Sequence, residues 1–289
     1  MTQRHLLPVG GPIAADLLLG TLAAHAIPGA ETQNRGTHRR LITTNSGIHP
    51  VSVEIHNDAV LLTCEAEDPA TVADLGNAVR SWLDLNTDLT DMTVRFGADP
   101  LLAPLVEANP GLRIPSYPDG FEAIIMTVIG QQISLAAGRT FGGRLVTRYG
   151  TETSSGLTAF PTPDRLAHTT VEELQSTVGV TSARARTIIA CAQAFLAGLT
   201  LPHRQPTPTE RRRLLAIPGV GPWTADFLAV RAMADPDAFA PGDLILRRAL
   251  DGISASDATK VAEGWRPWRA YALSYLWAST FVPNQRKKS

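Results

Sequence analysis

Two glycines separated by one residue, Gly219 and Gly221, form the part of this sequence best suited to bind an anion. Glycine has no side chain and accepts positive φ angles, so Gly219-Val-Gly221 can turn tightly and leave its backbone N–H groups uncovered. Pro222 suits the first position of a helix, where the N–H groups of the first turn lack partners within the helix. The spacing therefore predicts a phosphate-binding turn, and a DNA backbone is its natural ligand.

The residues before this turn predict the helix that positions it. Thr207 and Glu210 have the spacing of a capping box, and Pro208 fits the first helical position. Pro218 must end that helix. Two helices joined by a glycine hairpin are expected, although a plain helix-turn-helix corner can carry the same Gly-x-Gly sequence.

The first part of the chain mixes helical and strand patterns. A helix is expected over 14–26, and Ala70–Leu85 has helical spacing. Apolar residues alternate from Val51, turn at Asn57-Asp58 and resume at Val60, which predicts a β-hairpin. We expect residues 1–116 to form a small α+β domain, bounded by the breaker-rich run 109–118.

From Phe121 onward the patterns are helical, and no convincing strand is seen. We expect a helical domain over 117–234 that contains the hairpin, and a C-terminal helical part over 235–289. The expected helices lie within 121–149, 163–178, 182–196, 207–217, 222–232, 243–250 and 268–281.

Composition and charge exclude several classes of protein. The 289 residues are 44% hydrophobic and 18% charged, as in globular proteins, and 26 basic residues face 27 acidic ones. The part from Tyr117 onward is net basic, so it is the part that could face phosphates. Two cysteines, Cys64 and Cys191, are too few for a four-cysteine metal site and fit a reducing compartment. Asp16 interrupts the early apolar stretch, and no segment reaches the ~20 apolar residues of a membrane span.

The extended hairpin sequence resembles a known superfamily. Leu214-x-x-Ile-Pro-Gly-Val-Gly-x-Trp-Thr-Ala225, followed by Phe239-Ala-Pro-Gly-Asp-Leu244, resembles the helix-hairpin-helix DNA glycosylases. Gly130-Gln-Gln-Ile-Ser134 and Trp265–Ala272 are similar to the bacterial 3-methyladenine DNA glycosylase II (AlkA) branch. Leu18–Ala24 resembles the N-terminal domain of that branch, so the resemblance extends over nearly the whole chain.

The resemblance implies a fold and an activity. The fold is an α+β N-terminal domain followed by an all-α core of two helical subdomains, with the active site in the cleft between them. The activity is hydrolysis of the N-glycosidic bond of flipped alkylated purines, of the 3-methyladenine and 7-methylguanine type, in base excision repair. The implied partner is double-stranded DNA. The protein is expected to act as a monomer without a cofactor, near the nucleoid in a bacterial cytoplasm.

The resemblance places Asp243 at the catalytic position. Glycosidic cleavage passes through an oxocarbenium-like sugar, which a fixed carboxylate can stabilise, or the carboxylate can orient the attacking water. The same Asp243 is also a good N-cap for the helix that begins there. Both roles are compatible.

Aromatic side chains are expected to hold the base. Trp223, Phe227 and Trp277 match pocket positions of the branch, where a cationic base can stack on electron-rich rings; helix core is the alternative for each. Leu244 and Thr21 stand where the best-known members carry aromatics, so a less aromatic pocket is expected.

The resemblance also implies how DNA is held. Gln132, with Gln131 beside it, stands where the branch fills the gap left by the flipped base; an interhelical hydrogen bond is the alternative for these side chains. The hairpin backbone at Gly219, Val220, Gly221 and Thr224 is expected to bind a phosphate. A monovalent cation on the carbonyls of Leu215, Ile217 and Val220 is a further expectation, and no metal site made of side chains is visible.

Two other functions remain as alternatives. Helix-hairpin-helix elements also serve non-catalytic DNA-binding proteins, which need neither Asp243 nor the aromatic residues. A bifunctional glycosylase/lyase needs a lysine in the second hairpin helix for a Schiff base. The lysines here are Lys260, Lys287 and Lys288, and none lies in the motif. Base removal without strand cleavage is therefore expected.

Overall fold

A five-stranded antiparallel sheet dominates the beginning of the chain in the computed structural model, which describes residues 2–281. The strand order is β1-β5-β4-β3-β2. The strands are β1 (Gln3–Pro8), β2 (Glu31–Asn34), β3 (Thr37–Thr44), β4 (Gly47–Ile55) and β5 (Ala59–Cys64). The predicted hairpin is confirmed as β4–β5, in which Ile55 pairs with Val60. The other three strands were not predicted.

Four helices accompany this sheet. They are α1 (Ala15–His25), α2 (Pro69–Trp82), α3 (Thr90–Gly97) and α4 (Ala103–Ala108). The predicted helices over 14–26 and 70–85 are confirmed as α1 and α2, while α3 and α4 were not foreseen. Asp68 begins α2 by accepting a hydrogen bond from the Thr71 N–H, the usual way in which an aspartate caps a helix.

The remainder of the described chain is almost entirely helical. Its helices are α5 (Gly120–Gly130), α6 (Leu135–Tyr149), α7 (Pro163–Ala167), α8 (Val171–Val178), α9 (Ser182–Leu196), α10 (Pro208–Leu215), α11 (Pro222–Arg231), α12 (Leu244–Ala249), α13 (Ala255–Ala262), a 3-10 turn (Glu263–Trp265) and α14 (Arg269–Phe281). The expectation of no strand was wrong in one place, because β6 (Thr151–Glu152) pairs with β7 (Thr158–Ala159). A strand of two residues is too short to show a period. The predicted fold class, α+β followed by helices, is confirmed.

Three hydrophobic cores organise these elements. One lies between the sheet and the helices α1 and α2, and one lies within α5–α11. The third joins two distant parts of the chain, 89–114 and 229–278. Residues 89–114, which we assigned to the N-terminal domain, thus pack on the C-terminal helices, and the predicted boundaries at 116 and 234 stay predictions.

Asp84 connects the distant parts of the third core. It has a left-handed backbone conformation, with φ 56°. Its carboxylate accepts hydrogen bonds from the Thr87 hydroxyl, the Ile114 N–H and the Tyr271 hydroxyl, the last at 2.6 Å. Burial raises the pKa of Asp84, because removal from water disfavours the charged form. These donors offset that cost and tie α14 to the segment that follows α4.

No helix in residues 2–281 is both long and apolar enough to cross a bilayer.

Replacing Tyr271 by Phe is expected to lower the free energy of unfolding by about 2 kcal/mol, since a hydrogen bond to a buried carboxylate is stronger than a neutral one. Tyr275→Phe is the matched control. Its hydroxyl donates to the Asn109 carbonyl at 3.2 Å, and a loss of about 1 kcal/mol is expected. Urea unfolding followed by circular dichroism measures both losses, and an equal or smaller loss for Tyr271→Phe contradicts the prediction.

Candidate active site

A cavity of about 310 Å³ lies where the two helical cores meet α1. Its wall is formed by residues of α1, α5, α6, α11, α12 and α14 and of the segment 112–117. Most of the wall is apolar, but it contains one carboxylate, that of Asp243, and three arginines, Arg113, Arg139 and Arg231. The cavity is therefore mainly apolar with a few fixed polar groups, as small-molecule sites generally are.

Asp243 is buried in this wall, with 7% of its surface exposed. Oδ1 accepts hydrogen bonds from the N–H groups of Ile245 at 3.0 Å and Leu246 at 2.9 Å, so Asp243 caps α12. The indole N–H of Trp277 also donates to Oδ1, at 3.0 Å, and that of Trp223 donates to Oδ2 at 3.3 Å. An ionised carboxylate only accepts hydrogen bonds, so this set of donors suits its charged form. The capping role and a place in the cavity coexist, as expected from the sequence.

Three aromatic rings lie beside this carboxylate. Trp223 stacks on Phe227 with ring centroids 5.2 Å apart, and Phe227 contacts Trp277 at 5.7 Å. All three line the cavity. Because Trp223 and Trp277 belong to α11 and α14, the pair of indoles brackets Asp243 from two helices. The structure brings together the four residues that the sequence analysis had grouped.

Thr21 and Leu244, the two positions expected to make the pocket less aromatic, are placed differently in the structure. Thr21 lines the cavity from α1, and its hydroxyl donates to the Leu17 carbonyl. Leu244 is not among the lining residues and is 56% exposed. Ile245 forms the wall at this point, and a contact between Leu244 and the base stays a prediction.

The predicted hairpin is present between α10 and α11. Thr207 and Glu210 form the capping box of α10. Gly219 has φ 88°, and a Cβ atom placed on it would lie 2.0 Å from Oγ1 of Thr187 on α9. Glycine is thus required at 219 both by the backbone conformation and by the close approach of α9. Gly221 has an ordinary extended conformation and open space around it.

The N–H groups of the hairpin are not all free. The Val220 N–H donates to the Ile217 carbonyl at 3.0 Å, and Val220 is buried. This N–H group therefore closes the turn, and its contact with a phosphate stays a prediction. The Ile217 carbonyl expected to hold a cation accepts that same bond, while Leu215 is 38% exposed. No side-chain cap is present at Gly221, so the N-terminus of α11 remains open.

Gln131 and Gln132 differ in placement. The Gln131 side chain donates to the Gly219 carbonyl at 3.2 Å and to the Thr224 hydroxyl at 3.0 Å. Gln131 thereby joins the end of α5 to the hairpin and makes the interhelical contact that the sequence left open. Gln132 is exposed and has φ 55°, a conformation uncommon for residues other than glycine.

Sequence reasoning missed several polar residues that also line the cavity, among them His25, Tyr117 and Arg231. Burial is the main cause that lowers the pKa of His25 to about 4, so this imidazole is neutral at pH 7, and burial raises the pKa of Tyr117 to about 12. Arg231 could have been found, because it follows Trp223 and Phe227 at intervals of four residues on one helix face. His25 and Tyr117 come from distant segments and carry no such signal.

Within residues 2–281, no group of three or more histidine, cysteine or acidic side chains is arranged to hold a metal ion. The lysine of this range, Lys260, is exposed on α13 and paired with Asp257 at 2.8 Å. No lysine is found among the cavity-lining residues that the structure describes. Lys287 and Lys288 lie outside the described residues.

Gly219→Ala is expected to lower the free energy of unfolding by about 3 kcal/mol, because it adds left-handed strain and overpacks against Thr187. Gly221→Ala is the control and should change stability by less than about 1 kcal/mol. Adding Thr187→Ala to Gly219→Ala should recover part of the loss by removing the nearest atoms. Urea unfolding tests this ranking, and equal losses for the two single glycine variants contradict it.

Comparison with known proteins places these features in a family. Residues 5–119 match the AlkA N-terminal domain, and residues 125–266 match the HhH-GPD superfamily of base excision DNA repair proteins. A 3-methyladenine DNA glycosylase from Archaeoglobus fulgidus has a similar structure, with a TM-score of 0.84 at 22% identity, over 94% of this chain and 97% of that one. That likeness supports the fold.

Two relatives share more of the sequence. A Mycobacterium tuberculosis protein, named a probable bifunctional transcriptional activator/DNA repair enzyme AlkA, is 38% identical over 96% of this chain. This chain spans 57% of the length of that relative. DNA-3-methyladenine glycosylase 2 of Escherichia coli is 32% identical over 90% of this chain and 92% of its own length. With an identity of this extent and both family domains in order, the chain belongs to the DNA-3-methyladenine glycosylase 2 (AlkA) family of HhH-GPD proteins.

Proposed function

We propose that this protein is a monofunctional DNA glycosylase that hydrolyses the N-glycosidic bond of alkylated purines in double-stranded DNA. The observation that carries the proposal is the buried carboxylate of Asp243, held by four N–H donors beside Trp223 and Trp277 in a cavity. Membership of the family supports the same activity. One chain supplies the cavity, the carboxylate and the hairpin, so we propose that it acts as a monomer, on chromosomal DNA at the nucleoid of a bacterial cytoplasm.

The carboxylate has a direct role in the proposed reaction. As the bond from C1′ to the base breaks, positive charge develops on the sugar, and the Asp243 carboxylate stabilises it. Its hydrogen bonds are already made, so the group does not reorganise during the reaction. The same donors prevent the carboxylate from turning away or taking up a different contact. Asp243 also lies within reach of orienting the attacking water, which completes hydrolysis without a covalent enzyme intermediate.

The rings of Trp223, Phe227 and Trp277 bind the flipped base. A purine alkylated at N3 or N7 carries positive charge, which favours the electron-rich face of an indole. Such a base is also a good leaving group, so strong general-acid help is unnecessary. Thr21 closes the cavity from α1 with a small side chain. The base must leave the base stack of the DNA duplex to reach this site, since the carboxylate is buried.

The hairpin and Gln132 hold the DNA in this proposal. The N–H groups of Gly219, Gly221 and Thr224 bind a phosphate at the uncapped N-terminus of α11. Gln132 is exposed and adjoins the cavity-lining residues Gly130 and Ile133, and we propose that it fills the gap left by the base. Gln131, at the end of α5, supports Gln132 through its side-chain hydrogen bonds to the hairpin.

Asp243→Asn is expected to slow base release by at least about 100-fold, because an amide cannot offset the charge that develops on the sugar. The measurement is chromatography of free bases released from dimethyl sulfate-treated duplex DNA in single turnover. DNA affinity, measured by fluorescence anisotropy, should remain within about threefold of wild type.

Asp257→Asn is the control, because Asp257 lies on the exposed face of α13 away from the cavity. It should release bases at the wild-type rate. A wild-type protein that binds DNA but releases no methylated base contradicts the proposed activity and favours a DNA-binding protein without catalysis. An Asp243→Asn variant with wild-type rate contradicts the role of the carboxylate.

We also expect no covalent adduct when the protein acts on methylated or abasic duplex DNA in the presence of sodium borohydride. A Schiff base needs an amine at the sugar, and Lys260 is exposed and ion-paired on another surface. Denaturing gel electrophoresis of labelled DNA is the readout, with a lysine-dependent glycosylase/lyase as positive control. A trapped complex with strand cleavage would instead assign a bifunctional lyase.

A further inference from the structure

Arg231 is a buried polar residue of the cavity to which the proposed reaction gives no role. It is the last residue of α11, after Trp223 and Phe227 at intervals of four residues, and all three line the cavity. Residues four apart lie on the same face of a helix, and their side chains lean toward its N-terminus. At 1.5 Å per residue, the Cα of Arg231 is about 12 Å from that of Trp223 along the helix. Arg231 therefore begins about two helical turns beyond the indole that bonds Asp243.

The Arg231 guanidinium lacks a partner in the described part of the protein. It is 7% exposed, no carboxylate pairs with it, and its Nε has no hydrogen-bond acceptor. Buried arginines are usually paired with carboxylates. Arg40 is an example, since it is similarly buried but is paired with Glu122 at 2.7 Å and with Glu31. A buried charge without an acceptor is costly, so a ligand that supplies one gains from the contact.

The neighbours of Arg231 do not neutralise it. His25 donates its Nδ1 hydrogen to the Thr21 carbonyl and is neutral at pH 7, and Tyr117 keeps its proton. Arg113, in the same wall, donates to the carbonyls of Asp84 and Thr87, yet its Nε and Nη2 lack acceptors. Arg231 and Arg113 thus present donors and positive charge to the cavity.

We propose that Arg231 is a specificity residue that donates hydrogen bonds to a carbonyl oxygen on the flipped base. This inference rests on the proposed function and concerns which lesions the cavity prefers. Arginine has only donors, so it pairs with the O6 acceptor of a 6-oxopurine and not with the amino group of an adenine. The cavity accordingly favours bases derived from 6-oxopurines, such as 7-methylguanine, over 3-methyladenine.

The test compares wild type with Arg231→Met, which keeps the length of the side chain and removes its donors. Both proteins act on the same dimethyl sulfate-treated DNA, and released 7-methylguanine and 3-methyladenine are quantified together. We expect the rate ratio of 7-methylguanine to 3-methyladenine to fall by about tenfold or more, as for loss of a hydrogen bond from a charged donor. Arg231→Lys, which retains a charged donor, should show a smaller fall in this rate ratio.

Arg95→Met is the control, since Arg95 is exposed on α3 and paired only with Asp91. Its ratio should equal that of wild type. Thermal unfolding of each variant reports on folding. If the Met variant does not fold, Arg231→Lys carries the test, because an ammonium does not reproduce the planar donor fork of arginine, and its ratio should then fall by at least about twofold. An unchanged ratio, or an equal fall for both bases in folded variants, overturns the inference while the glycosylase activity stands.

A second readout separates this inference from the proposed function. Trp223 and Trp277 line the cavity, so free bases that enter it should quench tryptophan fluorescence. Wild type should bind free 7-methylguanine at least about tenfold more tightly than Arg231→Met does, with a smaller difference for 3-methyladenine. If wild type releases no base from DNA yet shows this pattern, the proposed function fails, while the role of Arg231 as a donor to a 6-oxopurine stands. Equal affinities in wild type and variant overturn the inference.

Discussion

The carboxylate of Asp243 is the constraint on which the arrangement of the helices around the cavity depends. A buried charge without a cationic partner costs several kcal/mol unless hydrogen bonds replace its lost water. Here the first turn of α12 supplies two N–H donors, and Trp223 and Trp277 supply two more. Three helices from separate parts of the chain must therefore meet within hydrogen-bonding distance of one side chain. The aromatic wall is a consequence, since the indoles that donate these bonds also present their faces to the cavity.

The helix α11 connects the glycine turn to the aromatic wall of the cavity. Its uncapped N-terminus follows the glycine turn, and its side carries Trp223 and Phe227 into the cavity. The turn is held by Thr187 against Gly219 and by the side chain of Gln131. The phosphate site that we propose at the turn is consequently at a fixed distance from the carboxylate. A rigid helix is well suited to this, because loops hold such distances less accurately.

Sequence patterns predicted the elements that are amphipathic or punctuated by strong signals. The hairpin β4–β5, the capping box at Thr207 and the glycine turn were of this kind. Strand β3 was missed because it buries His38 and Arg40, residue types that are usually exposed. Their burial depends on the partners Glu31 and Glu122, which lie outside this strand. Ile245, which lines the cavity, was missed for another reason. A shift of one residue around a helix changes which side chain faces the cavity, and spacing in the sequence does not define that rotation.

By itself, the sequence determined the order of the elements, the glycine hairpin, the family resemblance and the identity of the carboxylate and rings, because each depends on local spacing or on a contiguous motif. The tertiary structure alone decided which groups have partners. It showed that the Val220 N–H closes the turn, that Gln131 supports the hairpin, and that Arg231 faces the cavity without an acceptor. The physical reason is that hydrogen bonding and burial depend on contacts between residues far apart in the chain, and a local pattern carries no information about them.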